Sequence, residues 1–552
     1  MNASTVDRVS LELRDESREM RDERRALRRG STLICHRPTF LLRCFALMQT
    51  LLLAAVALAQ VEFPAGFTSD LEGREVIISN RMYVTGNYGY DVDNPTVVMA
   101  PEVLVTGTEV VKPGIDYQRQ RAWNNESKLT VNNFRVDDPT IRVGAYVDGL
   151  QGVAVREGGT WTLRLTTQPV LCGNERPPMP LPRDDSRCNL RVAGFNLHFF
   201  LASPTCWGSG YGADDAQAFE RQRTKVLAAM TAMDADIYAL CEVEEGDYTI
   251  ARLTDWLNDC LGVRVYQYAD AGDTYVDTYT KNAFIYRSDR VLPVGPFTFT
   301  DNDYLKLRHI AQRFRLTDSG EELILSMNHL KSKSGSGRGA DADKGDGQSA
   351  YNLTRVEEAE AVLNGLNGMV RKCGETDVLV MGDLNAYSYE DPVQVFVNAG
   401  YVNELRLHSP DGWSYCFNSE VGYLDHILAS STMADQVVTA MPWDINASEP
   451  SYFDYTTPEW FRPEHYLAHS SDHNPVLVSL DLGHRCEAQP LSIGVHIRLC
   501  TLHGNVLMET TVDTMPSSSE LWQTVSADLP SGVYILTTTN STGASSKKFL
   551  KP

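Results

Sequence analysis

Six polar clusters stand where apolar runs of this chain stop. They are Asn196 in GFNLHFF, Glu242 in IYALCEVE, His329 in LSMNHLKSKSG, Asp383 with Asn385 in VLVMGDLNAY, Asp425 in YLDHILAS, and Asp472 with His473 in SSDHNPV. A strand that ends on a polar residue can aim that side chain into a shared cleft. Oxygen donors from Asn, Glu and Asp, with no thiolate among them, suit a hard divalent cation: Mg2+ first, with Mn2+ or Ca2+ as alternatives. Histidines beside carboxylates supply proton transfers near neutral pH. Together these groups make a setting in which water attacks a phosphate ester. Each cluster alone is also compatible with an ordinary turn, so the weight lies in all six occurring in this order.

The elements that must carry them are legible as periodicity. From Arg191 to Leu482 strands alternate with helices. Val192–Leu197, Ile237–Leu240, Val378–Met381, Leu424–Ala429 and Val476–Leu480 read as strands, while Ala216–Met233, Thr249–Leu261 and Tyr351–Val370 carry apolar residues at helical spacing. That alternation indicates one large α/β domain, residues 187–483. Ahead of it, residues 60–186 combine short Val/Thr-rich runs (Val76–Ile78, Val97–Met99, Ile141–Val143, Trp161–Leu165) with a Pro-rich linker, NERPPMPLPRDD, and read as a small all-β domain of structural or docking character. Residues 484–552 turn β-rich and Ser/Thr-rich again and read as a small C-terminal β-sandwich.

Taken in order, F-N-L, the Glu242 strand end, N-H-L-K-S-K, G-D-L-N, L-D-H-I and S-D-H-N-P-V resemble the endonuclease/exonuclease/phosphatase superfamily, the deoxyribonuclease I-like group. The N-H-x-K-S-K form, followed by Asp346-Gly347-Gln348, Asn352 and Arg355, resembles its secreted bacterial nucleases. The resemblance implies a four-layer α/β sandwich and a metal-dependent phosphodiesterase. It implies that Asn196 and Glu242 hold the metal, with Asp472 in support. Asp383 would orient or deprotonate the attacking water, and Asn385 would hydrogen-bond the scissile phosphate. His473, oriented by Asp425, would be general base or transition-state donor. His329 would contact the phosphate and protonate the leaving oxygen. Lys331 and Lys333, with Arg338 and Lys344 in the same Gly/Ser-rich loop, would reach along the substrate backbone. One departure concerns the metal: His198 stands where relatives often carry Asn, Asp or Glu, and imidazole favours Mn2+ over Mg2+. Packing beside Phe199 and Phe200 is its other reading.

Three further features received local readings. Asp341, Asp343 and Asp346 lack the spacing of an EF-hand loop. The aromatic insert YFDYTTPEWFRPEHY (452–466) reads as a packed loop or as a base-stacking wall of the cleft. His408, His426, His465 and His469 read as structural.

Composition bounds the partners and the compartment. Of 552 residues, 72 are acidic and 50 basic, a formal charge of −22. Residues 1–59 hold 10 of the basic and 7 of the acidic ones, so the remainder carries −25. Such a body cannot hold a polyanion over its whole surface, so phosphate binding must be local. Phe40–Ala59 is an apolar run behind an Arg-rich stretch and ends in small residues, as a secretory signal peptide does. No stable membrane span is expected in the mature chain. The end of the chain, L-P-S-G-V-Y-I-L and K-K-F-L-K-P, resembles the C-terminal sorting domain of type IX secretion in Bacteroidota. These features imply a secreted or cell-surface protein with the type IX machinery as partner. Eleven cysteines are present, two of them in the leader, and Cys172 and Cys188 flank the Pro-rich loop closely enough in sequence to pair. The expected substrate is nucleic acid, extracellular DNA first and RNA as a further candidate, with activity that falls steeply as salt is added. A phosphatase or sphingomyelinase-like phosphodiesterase acting on lipid or small phosphoesters, or an inactive surface module, are the alternatives.

Overall fold

The computed structural model describes residues 58–483 apart from 92, 94, 137–139, 178–182, 184–185, 270–278 and 300–307; beyond 483 it describes 495–501, 506–512, 532–540 and 543–551. Most of the expected signal peptide and most of the turn in the expected sorting signal lie outside the described residues. Among the described residues no helix is long and apolar enough to cross a membrane.

Fourteen strands build the region 190–480: β9 (Leu190–Phe200), β10 (Ile237–Glu244), β11 (Tyr266–Tyr268), β12 (Thr280–Arg287), β13 (Val291–Phe299), β14 (His309–Leu316), β15 (Glu322–His329), β16 (Val378–Asp383), β17 (Val402–Asn403), β18 (Tyr415–Phe417), β19 (Glu420–Gly422), β20 (Asp425–Ala429), β21 (Val437–Pro442) and β22 (Val476–Leu480). They form two six-stranded sheets, ordered β11-β12-β10-β9-β22-β21 and β13-β14-β15-β16-β20-β17, with β18 and β19 as a separate hairpin.

Side-chain alternation sorts each strand between two cores. In β9 and β10, Leu190, Val192, Ile237, Ala239 and Cys241 face Leu325, Met327, Leu379 and Met381 of the other sheet. The intervening Ala193, Phe195, Tyr238 and Leu240 pack under the helices Ala216–Met233 and Tyr248–Leu261. Across the molecule Ile324, Val378 and Val380 pack under the helices Asn352–Cys373 and Asp391–Asn398. A strand buried on both faces reads as a continuous apolar run, as these do. The first of these helices starts where Asp215 accepts the amides of Gln217 and Ala218 at 2.8 Å, a side-chain N-cap.

The N-terminal domain differs from an all-β expectation. Strands β1 (Ala59–Val61), β2 (Glu75–Ile78), β3 (Met82–Gly86), β4 (Thr96–Ala100), β5 (Leu129–Asn132), β6 (Tyr146–Val147), β7 (Gln151–Glu157) and β8 (Thr160–Leu165) form one eight-stranded sheet. Between β4 and β5 lies a 13-residue helix, Ile115–Ser127. Its sequence, IDYQRQRAWNNES, has no apolar stripe and buries Asn124 and Ser127, so periodicity could not reveal it. Ile141–Val143 is no strand. There the Arg142 guanidinium is drawn into ion pairs with Asp444 (2.7 Å) and Glu449.

The aromatic insert is packed. Tyr452 and Phe453 complete the core of the N-terminal domain, and Tyr455 enters the core under the helices. The Pro-rich linker is pinned at its start: Asn174 accepts the amide of Arg142 (2.9 Å), and Arg176 pairs with Glu449 at 2.8 Å. Cys172 is a free thiol, so the suggested pairing with Cys188 is not made. Among the described residues, the C-terminal part forms one antiparallel sheet, β24-β23-β25-β26, from β23 (Val495–Thr501), β24 (Val506–Val512), β25 (Gly532–Asn540) and β26 (Gly543–Lys551). A sandwich would need a second sheet, and none is seen among those residues.

Candidate active site

Three of the expected residues form a single rung. In the ladder β15–β16–β20, His329 lies opposite Asp383, and Asp383 lies opposite Asp425. Gly382, at φ 123, is required just before Asp383, because a Cβ there would overlap the carbonyl of Asn328. Beyond it the Asp383 carboxylate accepts the Asn385 amide at 2.8 Å and turns the chain, with Asn385 at φ 46. The Asn385 side chain donates to Leu330 O (3.1 Å), tying this turn to the residue after His329.

The facing sheet contributes Asn196 and Glu242 through an irregularity. Pairing of β9 and β10 is regular up to Asn196/Cys241 and resumes only at Phe200/Val243, so β9 carries extra residues. His198, Phe199 and Glu242 all have left-handed φ, of 51°, 53° and 59°. Non-glycine residues hold that conformation only where surrounding structure compensates its cost of roughly 1 kcal/mol or more. Here it turns Glu242 to accept the Phe199 amide at 2.9 Å and brings its other oxygen to 3.2 Å from the Asn196 amide nitrogen. The same nitrogen lies 3.3 Å from Asp383 Oδ2, so Asn196 bridges the carboxylates of the two sheets.

His473 enters from the loop before β22. Its Nδ1 donates to Asp425 Oδ2 at 2.7 Å, leaving Nε2 at 3.8 Å from Asp383 Oδ2. The Tyr415 ring covers it, with centroids 4.6 Å apart. Ser471 accepts the His473 amide (3.2 Å) and donates to Asn196 O (2.7 Å), which locks the loop to β9. His329 Nε2 stands 3.7 Å from Glu242 Oε1 and 3.8 Å from Asp383 Oδ2. Asp472 faces His198, Oδ1 to Nδ1 3.9 Å.

The electrostatics divide the two catalytic imidazoles. Burial opposes charge on His473, but Asp425, Asp472 and Asp383 outweigh it and hold the imidazolium well above its ordinary range. Burial, reinforced by Arg308, holds His329 well below its ordinary range. A guanidinium can only donate, and its Nη2 lies 3.2 Å from the His329 ring nitrogens. Burial and Arg308 thus both favour the neutral imidazole, which can accept from the guanidinium on one ring nitrogen and offer a hydrogen bond from the other. Burial lifts Asp383 to about 7 despite His473, and burial followed by Asp472 lifts Glu242. The Asp472 carboxyl is lowered by His198 and His473 against its burial, while Asp472 raises His198 in turn.

Lys331 and Lys333 part company. The Lys331 ammonium lies 4.7 Å from the Tyr351 ring centroid, close enough to His329 to oppose its protonation. Lys333 forms an ion pair with the fully buried Glu390 and donates to Gln348 O at 3.2 Å, so its charge is committed to the fold. The Gly/Ser-rich loop is likewise built rather than loose. Asp341 accepts from Thr354 (2.7 Å), Asp343 from the Gly345 amide (2.8 Å), and Asp346 from the Gln348 amide (3.1 Å). His426 is buried and bonded to Ala386 O at 2.7 Å, His408 pairs with Glu404, and His465 packs on Phe453, all structural as expected. Arg308 and Tyr415 escaped sequence reasoning because both lie outside the motifs, and Ser471, the first residue of S-D-H-N-P-V, because a hydroxyl there suggested no chemistry of its own.

Among the described residues no three His, Cys, Asp or Glu side chains form a ready-made metal cluster. The donor set nevertheless fits a hard cation. Glu242 and Asp383 converge in a buried place with the Asn196 side-chain nitrogen between them, and the half-buried Asp472 is near enough to raise Glu242. Raised carboxyl groups around a shared point are what an added positive charge relieves.

Residues 193–473 match the model of the Endonuclease/Exonuclease/phosphatase family, just over half of the chain and every motif described above. The chain belongs to this family. It is a hydrolase acting on phosphoester bonds, in a family whose members generally use divalent metal ions. Solved structures to which it is similar include the human Nocturnin catalytic domain with bound sulfate, at 17% identity and TM-score 0.36, covering 53% of this chain and 94% of that one. An endonuclease/exonuclease/phosphatase family protein from Bacteroides thetaiotaomicron matches at 19% identity and TM-score 0.36, covering 53% and 97%. A mannosyl-6-phosphatase from the same organism matches at 18% identity and TM-score 0.35, covering 53% and 99%. A search of curated proteins finds no match.

Proposed function

We propose that this hydrolase is an exported, divalent-metal-dependent phosphodiesterase that cleaves nucleic acid. The observation that carries the reading is the row of rings leading away from Glu242. Phe199, whose amide binds that carboxylate, lies 5.0 Å from Tyr211 between centroids, and Tyr211 lies 4.9 Å from Tyr279. Tyr211 and Tyr279 are 44% and 56% exposed, unusual for rings beside a polar cleft. Exposed rings in sequence offer stacking to successive bases with little sequence preference. Arg308, against His329, and Lys331, two residues beyond it, supply the local positive charge that an acidic body otherwise lacks.

In this reading Glu242 and Asn196, supported by Asp472, hold the metal, which when bound neutralises charge on the phosphate. Asp383 accepts the proton of the attacking water. His473, held charged by three carboxylates and oriented by Asp425, donates to a phosphoryl oxygen. His329, Arg308 and Asn385 contact the same phosphate. The water oxygen bonds phosphorus, the bond to the leaving oxygen breaks, and that oxygen takes a proton from surrounding water.

Export rests on the leader and on the terminal strand pair: β25 and β26 pair in register from Gly532/Lys551 to Asn540/Gly543. That geometry would suit recognition by the type IX machinery as a unit.

Supercoiled plasmid tests the reading. The full chain should nick and degrade it in Mg2+ or Mn2+, and EDTA or His473→Ala should stop it. Turnover of a small phosphodiester with plasmid and RNA left intact would replace the nuclease by the small-substrate alternative.

A further inference from the structure

The segment Leu104–Glu109 belongs to the N-terminal domain, outside the residues that match the family, yet it threads between two loops of the catalytic centre. Val421 donates its amide to Leu104 O and accepts the Thr106 amide, both at 2.8 Å. On the other side Thr108 O accepts the Tyr389 amide at 2.9 Å, and Thr108 Oγ1 donates to Glu390 at 2.7 Å.

Glu109 closes the gap between these loops. Its Oε2 accepts the amides of Ser388 (3.1 Å) and Tyr423 (3.3 Å). Its Oε1 accepts the Ser388 hydroxyl (2.6 Å) and Arg406 Nη1 (3.1 Å). The side chain is almost wholly buried. Ser388 lies three residues beyond Asn385, and Tyr423 two before Asp425. The β16–β20 ladder pairs Asp383 with Asp425 and continues through the Leu384 amide on Leu424 O at 2.9 Å. Past that rung the amides of Ser388 and Tyr423 meet on one carboxylate oxygen. Space for it is kept by Gly422, where a Cβ would stand 2.7 Å from the Tyr387 ring and 3.5 Å from Glu109 Cβ.

We propose that Glu109 is a positioning residue of the catalytic centre: by gathering Ser388 and Tyr423 onto one carboxylate it sets the separation of Asn385 and Asp425, and so makes the N-terminal domain part of the phosphoesterase. This rests on the placement of Asn385 and Asp425 in the reaction given above. Two amides, a hydroxyl and a guanidinium lose their acceptor if the carboxylate goes, and buried donors without partners drive local rearrangement.

The test uses the full chain, Mn2+ and bis(p-nitrophenyl) phosphate, with Glu109→Ala, Glu109→Gln and Val131→Ala compared. Val131 is buried in the N-terminal core away from the clasp. Val131→Ala should lower Tm with kcat unchanged. Glu109→Ala should lower kcat at least tenfold with KM within about threefold, and Glu109→Gln, which keeps one acceptor oxygen, should fall between. A Glu109→Ala enzyme with reduced Tm but kcat within twofold of wild type overturns the proposal. If that variant does not fold, Glu109→Gln decides by the same criterion. The low-field proton resonance of His473 Nδ1–H, assigned by its loss in Asp425→Asn, gives a readout that needs no substrate. It should shift or broaden in Glu109→Gln and persist in Val131→Ala; an unchanged resonance in both overturns the proposal even where the wild type does not turn over the probe.

Discussion

The pair Asp425–His473 turns a flexible imidazole into a directed one. With Nδ1–H committed to a carboxylate at 2.7 Å, only Nε2 faces the cleft. Asp425→Asn leaves the shape but presents a neutral amide, which either donates to Nδ1 and fixes the opposite tautomer or accepts from it without the negative charge that holds the imidazolium. We expect kcat to fall by about 10²-fold or more with KM within a few fold, measured as initial rates on a small phosphodiester. The two lysines of the N-H-L-K-S-K motif separate just as clearly. Lys333→Met leaves the buried Glu390 carboxylate without its ion pair and should cost about 3–5 kcal/mol, read as a drop in unfolding midpoint. Lys331→Ala should leave that midpoint within about a degree and raise KM for plasmid, because among the described residues its ammonium rests over the face of Tyr351 and in no ion pair.

Elements matter here through where they end. The helix Asn352–Cys373 brings Glu358 beneath the chain just past β15, where its Oε2 accepts the Lys331 amide at 2.7 Å. Burial raises this carboxyl from 4.5 to about 7. Between those values the folded chain keeps a proton that the unfolded chain releases. The stability this group contributes is therefore complete below its unfolded value and lost as pH rises through about 7. Glu358→Gln keeps the acceptor without the charge. Its Tm should match wild type at pH 5 and exceed it by roughly 3–6 °C at pH 8, from about 2 kcal/mol of relieved burial. Had the carboxylate stayed ionised at neutral pH, the gain would be absent. Elements of this kind were legible where burial imposes a period: β9, β10, β16 and β22 are apolar on both faces, and breaks in the first three runs announce Asn196, Glu242 and Asp383, while Asp472–His473 stand just ahead of the fourth. The helix Ile115–Ser127 was not legible, because it buries polar residues. Nor were Arg308, Tyr415 and Glu109, which reach the centre by contacts between segments far apart in the chain, and such contacts leave no local pattern.

At the scale of the whole molecule, a body of charge −22 must meet a polyanion with very few cations. Among the described residues near the candidate centre, Lys333 is committed to Glu390, and Arg142 and Arg176 to Glu449, while Arg308 lies against His329 and Lys331 over Tyr351, two cations placed to meet a phosphate. Each phosphate neutralised by a side chain releases counterions, and the salt dependence of binding counts those contacts at about 0.9 per phosphate on duplex DNA. Two contacts give a slope near −2 for log(kcat/KM) against log salt, where a basic nuclease making six or more would approach −6. Activity should therefore decline with salt, though far less steeply than motif content alone implies, and Lys331→Ala should reduce the slope by about one. The rest of the affinity must come from what salt does not screen, namely stacking on Phe199, Tyr211 and Tyr279. Tyr211→Ala should then lower kcat/KM on single-stranded oligonucleotides by roughly tenfold, as the loss of one base–aromatic stack would, while leaving the salt slope and the turnover of bis(p-nitrophenyl) phosphate unchanged. A steep slope that survives Lys331→Ala would place the binding energy elsewhere on the surface and remove the aromatic row from the substrate path.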